Sequence, residues 1–275
     1  MSAAATPART PTPTWDPAQY LRHADHRARP FTDLLARVPP LPGDRPRIAD
    51  LGCGPGNVTA LLAARWPTAH ITGLDNSAAM LDRAHTEHEG PTEGGGRLDF
   101  AHADVGTWTP EEPYDLIVSS ATLQWVPGHA DRFGSWVAGL RPGGTFAFQV
   151  PGNFDAPSHR LMLDLAARHG IADVLRHSDA VHDPRDYLAR LTALDCVVDV
   201  WETTYLHLLP GEDPVLYWVK GTGLRPVLTA LADDPARRDA FLDAYRAALR
   251  EAYPPGPHGT PFPFRRIFAV ARKDT

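Results

Sequence analysis

The stretch Arg47-Ile-Ala-Asp-Leu-Gly-Cys-Gly-Pro-Gly-Asn57 decides the fold. Residues 48–51 are mostly apolar, which predicts a buried strand, and Asp50 stands near its end. The loop that follows has a glycine at every second position: Gly52, Gly54 and Gly56. Glycine lets the backbone adopt a positive φ and approach a ligand closely. Apolar residues at helical spacing then run to residue 65, with Asn57 as the predicted N-cap. The order of strand, glycine loop and helix predicts a nucleotide-cofactor site in an α/β fold.

The glycine spacing distinguishes between cofactor classes. In the dinucleotide fingerprint G-x-G-x-x-G the third glycine would fall at position 57, which is Asn57 here. Asp50, two positions before the first glycine, suits a ligand that bears an amine better than a pyrophosphate, which it would repel. The loop, with Cys53 between its first two glycines, resembles the S-adenosylmethionine loop of Rossmann-like methyltransferases. A nicotinamide oxidoreductase is the disfavoured alternative.

Two further strands end in acidic residues. Residues 69–75 predict a strand ending at Asp75, placed to bind ribose hydroxyls, and a helix follows that is capped by Asn76 or Ser77. Residues 98–104 predict a third strand ending at Asp104, which with Val105 fits the adenine amino group. One such Asp is often only a helix cap, but three in succession favour cofactor binding. The predicted cofactor residues are Asp50, Gly52, Cys53, Gly54, Gly56, Asp75, Asn76, Asp104, Val105 and Ser120.

The second half of the chain predicts further strands and a large insertion. Strands are expected at 114–120, 145–150, 196–207 and 266–271, with helices at 158–169 and 183–194. In methyltransferase folds the end of the 114–120 strand faces the transferable methyl, and the following 121–125 lacks the Pro-Pro-aromatic motif of nucleobase amino-methyltransferases. Trp125 lines the substrate site or belongs to the core. The mostly helical stretch between the last two strands predicts a substrate lid.

Composition limits the classes of partner. The 275 residues carry a formal net charge of -6, so no broad basic surface for nucleic acid or an anionic membrane is expected. The two cysteines suggest neither a disulfide framework nor a zinc site. The sequence has no apolar run long enough for a membrane span and no pattern typical of a signal peptide. Together these features predict a cytoplasmic protein. The predicted organisation is a disordered tail at 1–14 and one domain at 15–275. Its parts are a helical cap (15–42), a core (43–207 and 264–275) and a lid (208–263).

The chain resembles the bacterial trans-aconitate 2-methyltransferases over residues 15–272. The stretches that carry this resemblance are Trp15-Asp-Pro-x-x-Tyr20-Leu, Arg27-x-Arg29-Pro30, Asp50-Leu-Gly-Cys-Gly-Pro-Gly-Asn57, Leu123-Gln-Trp125, Trp201-x-Thr-Thr-Tyr205-x-His207 and Trp218-Val-x-x-Thr222-Gly-Leu-Arg225-Pro226. The chain departs from the family in its Pro-rich start and in extra residues at 89–96. The resemblance implies a seven-stranded mixed sheet with helices on both faces, N-terminal helices and a helical lid inserted between the last two strands.

The reaction that the resemblance implies is methyl transfer from S-adenosylmethionine to a carboxylate of trans-aconitate, which gives a monomethyl ester. A carboxyl with a pKa near 4 is about 99% ionised at pH 7, so direct SN2 transfer needs no general base and no catalytic residue is expected. His23 and His26 have helical spacing but lack a third ligand, so no metal is expected. The substrate is a trianion, which requires a local group of arginines. The predicted substrate residues are Tyr20, Arg29, Trp125, Gln149, Tyr205, His207, Arg225 and Arg266, with Arg27 as a further candidate.

Three alternatives remain open on the sequence. The enzyme could methylate another small carboxylic acid, or a natural-product hydroxyl, for which His207 would be the candidate base. It could be a nicotinamide oxidoreductase, or a non-catalytic module that binds S-adenosylmethionine. The expected partner is a small tricarboxylate, with no nucleic acid and no membrane, and the expected assembly is a monomer or weak homo-oligomer.

Overall fold

The computed structural model describes residues 24–175 and 180–274. Within them one mixed sheet of eight strands has the order β3-β4-β2-β1-β5-β6-β8-β7. The strands are β1 (Arg47–Leu51), β2 (His70–Asp75), β3 (Gly90–Pro91), β4 (Arg97–His102), β5 (Tyr114–Ser120), β6 (Leu140–Pro151), β7 (Cys196–Leu209) and β8 (Thr260–Lys273). β4, β2, β1, β5 and β6 pair in parallel, whereas β3 and β8 run antiparallel to β4 and β6. The carboxyl ends of the parallel strands therefore meet at one edge of the sheet, where open α/β sheets bind ligands.

Helices connect the strands. They are α1 (Ala24–Arg37), α2 (Thr59–Arg65), α3 (Ala78–His88), α4 (Phe133–Ala138), α5 (Pro157–Arg168), α6 (Pro184–Thr192), α7 (Pro214–Lys220), α8 (Arg225–Ala230) and α9 (Pro235–Ala252). The start of α6 shows why these boundaries fall where they do. Asp183 caps it by accepting a hydrogen bond from the Arg185 backbone, and Pro184 occupies the first turn, where its missing N–H costs nothing.

The sheet has one strand more than the seven expected. The additional strand, β3, lies in the extra residues 89–96 and pairs with the start of β4 through Gly90–Leu98 and Pro91–Arg97. A turn with Gly95 at φ 81° reverses the chain between the two strands. The inserted residues therefore extend the sheet at its edge, beside β4.

Two compact units divide the chain. The sheet unit comprises the described residues up to 154, together with 180–207 and 263–274. Its apolar residues form one cluster on each face of the sheet, around Phe133, Phe146 and Phe148 on one face and around Phe31 and Phe268 on the other. Helices α1, α2 and α3 contribute to the second cluster, and α4 and α6 contribute to the first. Helices therefore cover and bury both faces of the sheet, in agreement with the prediction from the sequence.

The helical unit comprises residues 155–175 and 208–262. Here α5 packs against α9, where Tyr245 Oη donates to the Ser158 carbonyl at 2.7 Å and Tyr253 Oη accepts from the Ser158 amide at 3.1 Å. The unit contains nearly all of the predicted lid segment and also α5. That the segment acts as a lid stays a prediction, and the predicted tail at 1–14 lies outside the described residues.

Candidate functional site

The glycine loop after β1 adopts the conformation that its spacing predicts. Gly52, Gly54 and Gly56 have φ values of 76°, 57° and 82°. A Cβ on Gly52 would lie 2.2 Å from Thr122 Oγ1, so protein atoms fill that space. A Cβ on Gly54 would meet no atom of the described residues within 4 Å. The loop is therefore packed on one side and open above Gly54.

Asp50 lies below this loop and is almost completely buried, with 1% of its surface exposed. Its Oδ2 accepts a hydrogen bond from Thr59 Oγ1 at 2.7 Å, whereas Oδ1 is buried with no partner among the described residues. Burial raises the pKa of Asp50 to about 7, the Thr59 hydrogen bond opposes that shift, and the Asp75 charge adds to it. Asn57 is not the N-cap of α2, contrary to the sequence prediction, because Val58 occupies that position.

Asp75, at the end of β2, ties the loop to the next strand. Its Oδ2 accepts from the Gly54 amide and its Oδ1 from the Ser77 amide, both at 2.9 Å. Ser77 is the N-cap of α3, one of the two residues predicted, and the side chain of Asn76 is exposed beside it. Asp75 therefore fixes the conformation of the loop, whatever it also binds.

Asp104 and Val105 follow β4 rather than end it. The strand stops at His102, two residues earlier than predicted. Asp104 is exposed and its Oδ1 accepts from the Gly106 amide at 2.8 Å, while Val105 is buried in the core. The two residues lie in the loop at the carboxyl end of β4, so the structure places them at the same edge as Asp75.

Ser120, Gln149 and Arg266 form a buried chain of hydrogen bonds across β5, β6 and β8. Gln149 Nε2 donates to Ser120 Oγ at 2.8 Å, and Gln149 Oε1 accepts from Arg266 Nη1 at 3.0 Å. Arg266 is only 6% exposed, and its Cζ lies 4.7 Å from the centre of the Phe264 ring. The structure thus joins a predicted cofactor residue to two predicted substrate residues.

Tyr205 and His207 lie on β7 beneath α1. Tyr205 Oη donates to Asp33 Oδ2 at 2.6 Å, and its ring stacks with that of His207 at a centroid distance of 6.3 Å. Arg29, whose side chain is 69% exposed, lies over the Tyr205 ring at 5.0 Å, with Nε 4.0 Å from Asp33. Burial, together with the Asp33 carboxylate, raises the pKa of Tyr205. The predicted donor Tyr205 is therefore already bound to an acidic side chain of α1.

The remaining predicted residues lie elsewhere. Trp125 is half-buried in a short 3₁₀ turn (Leu123–Trp125) after β5. Arg225 is the first residue of α8 in the helical unit, where its amide donates to the Thr222 carbonyl at 3.1 Å. Tyr20 and His23 lie outside the described residues, as do the side chains of Arg27 and His26.

Known proteins are similar to this chain over most of its length. The family model of the methyltransferase domain matches residues 48–144. Trans-aconitate 2-methyltransferase of Streptomyces coelicolor is 72% identical over 265 residues, which are 95% of this chain and 87% of that protein. The protein of the same name from Rhodococcus jostii is 48% identical over 94% of this chain and 99% of its own length. The chain belongs to the trans-aconitate 2-methyltransferase family.

Solved structures agree with the fold of this methyltransferase. The YcgJ protein of Bacillus subtilis superposes with a TM-score of 0.54 at 15% identity, over 91% of this chain and 99% of that one. Phosphoethanolamine N-methyltransferase 2 of Haemonchus contortus, in complex with S-adenosyl-L-methionine, gives 0.53 at 16% identity, over 90% of this chain and 53% of that one. At these identities the likeness concerns the fold, which is the Rossmann-like methyltransferase fold that the glycine loop predicts.

Three residues that contact predicted site residues are not predicted from the sequence. Thr59 bonds to Asp50, Thr122 fills the space beside Gly52, and Asp33 bonds to Tyr205. Asp33 stands four residues after Arg29, the spacing of a helical ion pair, so a signal for it was present. Thr59 and Thr122 had no such signal because their partners depend on how the loops pack.

Two further kinds of site are absent from the described residues. In 24–175 and 180–274 no three His, Cys, Asp or Glu side chains come together in a group that could hold a metal ion. No helix of that part is both long and apolar enough to span a bilayer.

Proposed function

We propose that this chain transfers the methyl group of S-adenosylmethionine to a carboxylate of trans-aconitate and so forms its monomethyl ester. The observation that carries the proposal is its close identity, along almost the entire chain, to the Streptomyces coelicolor enzyme of that name. The structure adds a glycine loop of the expected conformation and a buried arginine, Arg266, on β8 of the same sheet.

The residues around the glycine loop fit S-adenosylmethionine. The open space above Gly54 can admit a ligand to the backbone, and the buried Asp50 carboxylate can attract a cationic amino group there through its charge. We assign Asp50 to the amino acid end of the cofactor, Asp75 and Asn76 to the ribose, and Asp104 and Val105 to the adenine. Gly52, Cys53, Gly54 and Gly56 of the loop, together with Ser120, complete the site. When bound, the cofactor supplies a methyl group on a sulfonium, which is an electrophile.

The protein's contribution to the substrate is position and charge. The substrate carboxylate is already ionised at pH 7, so no side chain has to remove a proton, and His207 is left without an acid–base role. The carboxylate oxygen must be held about 3–3.5 Å from the methyl carbon for in-line attack. A trianion must also approach a chain of net charge -6, which requires arginines at the site. Arg266 and Arg29 are the candidates within the sheet unit, and Arg225 is the candidate in the helical unit.

The proposal extends to the lid, the cellular location, the partners and the assembly of the enzyme. Residues 208–263 are the substrate lid of a single methyltransferase domain, and the substrate is a small tricarboxylate in the cytoplasm. Neither nucleic acid nor membrane is a partner, which is supported by the acidic net charge. The assembly is a monomer or weak homo-oligomer, which sedimentation equilibrium over a range of concentrations can test.

The deciding experiment is an assay with labelled S-adenosylmethionine and a panel of acids. We expect label in a base-labile ester with trans-aconitate and much less with cis-aconitate, isocitrate and a malonyl carrier. The Gly54→Ala variant serves as the control for chemistry at the cofactor site and should give no ester. Faster labelling of another acid would reassign the substrate, and cofactor binding without any ester would favour a non-catalytic module.

A further inference from the structure

Gln149 is the link between the two halves of the proposed site. Its side chain is 1% exposed and both of its polar atoms are used, Oε1 by Arg266 Nη1 at 3.0 Å and Nε2 by Ser120 Oγ at 2.8 Å. A guanidinium has donors only, so the atom facing Arg266 must be the carbonyl oxygen. The orientation of the amide is therefore fixed by chemistry. Gln149 Nε2 therefore donates to Ser120, a predicted cofactor residue, and Oε1 accepts from Arg266, a predicted substrate residue.

The backbone of Gln149 strengthens this link. Its carbonyl accepts from the Ala121 amide at 2.9 Å, and Ala121 has a φ of 55°, a conformation that costs energy for any residue with a Cβ. Ser120 and Gln149 are direct partners in the β5–β6 pairing, and Arg266 pairs with Pro151 in the β6–β8 pairing. Gln149 thus contacts both the turn that follows β5 and the arginine of β8.

We propose that Gln149 is a positioning residue for methyl transfer: it orients the Arg266 guanidinium relative to Ser120 and does not itself touch the substrate. The inference rests on the proposed function, because it takes Arg266 as a receptor for a substrate carboxylate. Gln149 holds one of the five N–H donors of the guanidinium, while the Phe264 ring packs against its face. Contacts from two directions restrict a long side chain that would otherwise occupy many rotamers.

The neutrality of Gln149 is part of its role. An amide oxygen orients Arg266 without adding negative charge, whereas a carboxylate at the same place would pair with the guanidinium and compete with an anionic substrate. Gln149→Glu and Gln149→Met therefore separate charge from orientation. Glutamate has the shape of glutamine, and the Ser120 hydroxyl can rotate to donate to it, so this variant keeps its packing. Methionine keeps the length and loses both hydrogen bonds.

The experiment is steady-state kinetics on the full chain at saturating S-adenosylmethionine, with trans-aconitate varied. We expect Gln149→Met to raise KM for trans-aconitate about tenfold, because substrate binding must then order an arginine side chain that Gln149 no longer holds. Gln149→Glu should raise it about 100-fold or more, because a buried competing carboxylate is added. Cofactor affinity, measured by calorimetry without acid, should change less than about threefold in both, since both variants leave Ser120 and its hydroxyl in place.

The matched control is Gln124, a buried glutamine of the same unit whose Nε2 donates to the Ala121 carbonyl at 2.6 Å. The Met and Glu variants at 124 should not differ from each other in KM. The inference is overturned if KM is unchanged at 149, if Met and Glu raise it equally, or if cofactor affinity falls in parallel. A wild type that makes no ester from trans-aconitate removes the proposed function instead. In that case calorimetry measures the binding of trans-aconitate to each variant in the presence of S-adenosylhomocysteine, and Kd should change by the same factors as those expected for KM. Absence of binding to the wild type overturns both the inference and the proposed function.

Discussion

Asp50 should make cofactor binding depend on pH in a range where most carboxylates do not titrate. Its pKa is raised to about 7 by burial, so part of the protein carries a neutral Asp50 at physiological pH. A cationic amino group prefers the carboxylate, and below pH 7 that carboxylate must first lose its proton. Affinity for S-adenosylmethionine should therefore fall as pH falls below 7, by at most about tenfold per pH unit, and level off above it.

Calorimetric titration of the cofactor between pH 5.5 and 8.5 measures this slope. Asp50→Asn removes the titrating group, so we expect weaker binding at pH 8 and a flat profile below pH 7. A variant that keeps the wild-type slope would assign the pH dependence to another group.

The glycines of the loop should respond differently to the same substitution. Gly52→Ala places a methyl group 2.2 Å from Thr122, so it should destabilise the fold by about 2–4 kcal/mol, from overpacking and the positive φ together. Gly54→Ala meets no described atom and should cost only about 1–2 kcal/mol for its φ of 57°. The added methyl group would nevertheless occupy space that we assign to the cofactor, so Gly54→Ala should abolish cofactor binding. Melting temperatures and cofactor titration of the two variants, side by side, test this, and equal stability losses would contradict it.

For single residues, the sequence predicts the features that depend on neighbours along the chain. The three positive φ values follow from the glycine spacing, and the cap of α6 follows from Asp183 and Pro184. The Gln149–Arg266 hydrogen bond joins residues 117 positions apart and depends on the register of β6 with β8. The sequence marks both residues as polar groups near a site. It cannot show that one holds the other.

At the scale of elements, α1 is attached to β7 through Asp33 and Tyr205. Tyr205 Oη is bound to the Asp33 carboxylate at 2.6 Å, so we expect Tyr205→Phe to lower stability by about 1–2 kcal/mol. Asp33→Asn should cost a similar amount, and the double variant little more than either single one, since both remove the same contact. Thermal unfolding of the four proteins of this cycle measures the coupling.

Tyr217→Phe is the control for loss of a tyrosine hydroxyl, since Tyr217 is 55% exposed, and it should leave stability unchanged. Additive losses for Asp33 and Tyr205 would show that the two elements are held by other contacts. The predicted role of the Tyr205 hydroxyl as a donor to the substrate would then regain support.

Elements were predictable where their pattern was long, and less so at their ends. The strands that carry the site, β1, β2 and β5, follow from apolar runs. β8 begins at Thr260 rather than at 266. Its first residues alternate buried and exposed positions as a strand does, but Pro261 and Pro263 occupy the exposed positions, and prolines in a sequence argue against a strand. β3 has two residues, too few for any periodic pattern, and exists only because β4 offers it a partner.

At the scale of the whole molecule, the division into a sheet unit and a helical unit separates the predicted cofactor residues from Arg225. If residues 208–263 act as the lid, cofactor and substrate should protect different units from hydrogen exchange. S-adenosylmethionine alone should slow exchange at 52–57 and 75–77. Addition of trans-aconitate, in the presence of S-adenosylhomocysteine, should further slow exchange at 222–227.

Arg225→Lys keeps the charge but loses the bidentate fork that matches a carboxylate, so KM for trans-aconitate should rise about 10- to 100-fold. The substrate-induced protection at 222–227 should be lost in the same variant, while the cofactor-induced protection at 52–57 remains, because cofactor binding uses the sheet unit. Arg250→Lys is the matched control, since Arg250 pairs with Asp213 inside the helical unit at 2.5 Å and a lysine can keep that ion pair. If trans-aconitate protected only the sheet unit, Arg225 would leave the list of substrate residues and the anion would have to be held by Arg266 and Arg29 alone.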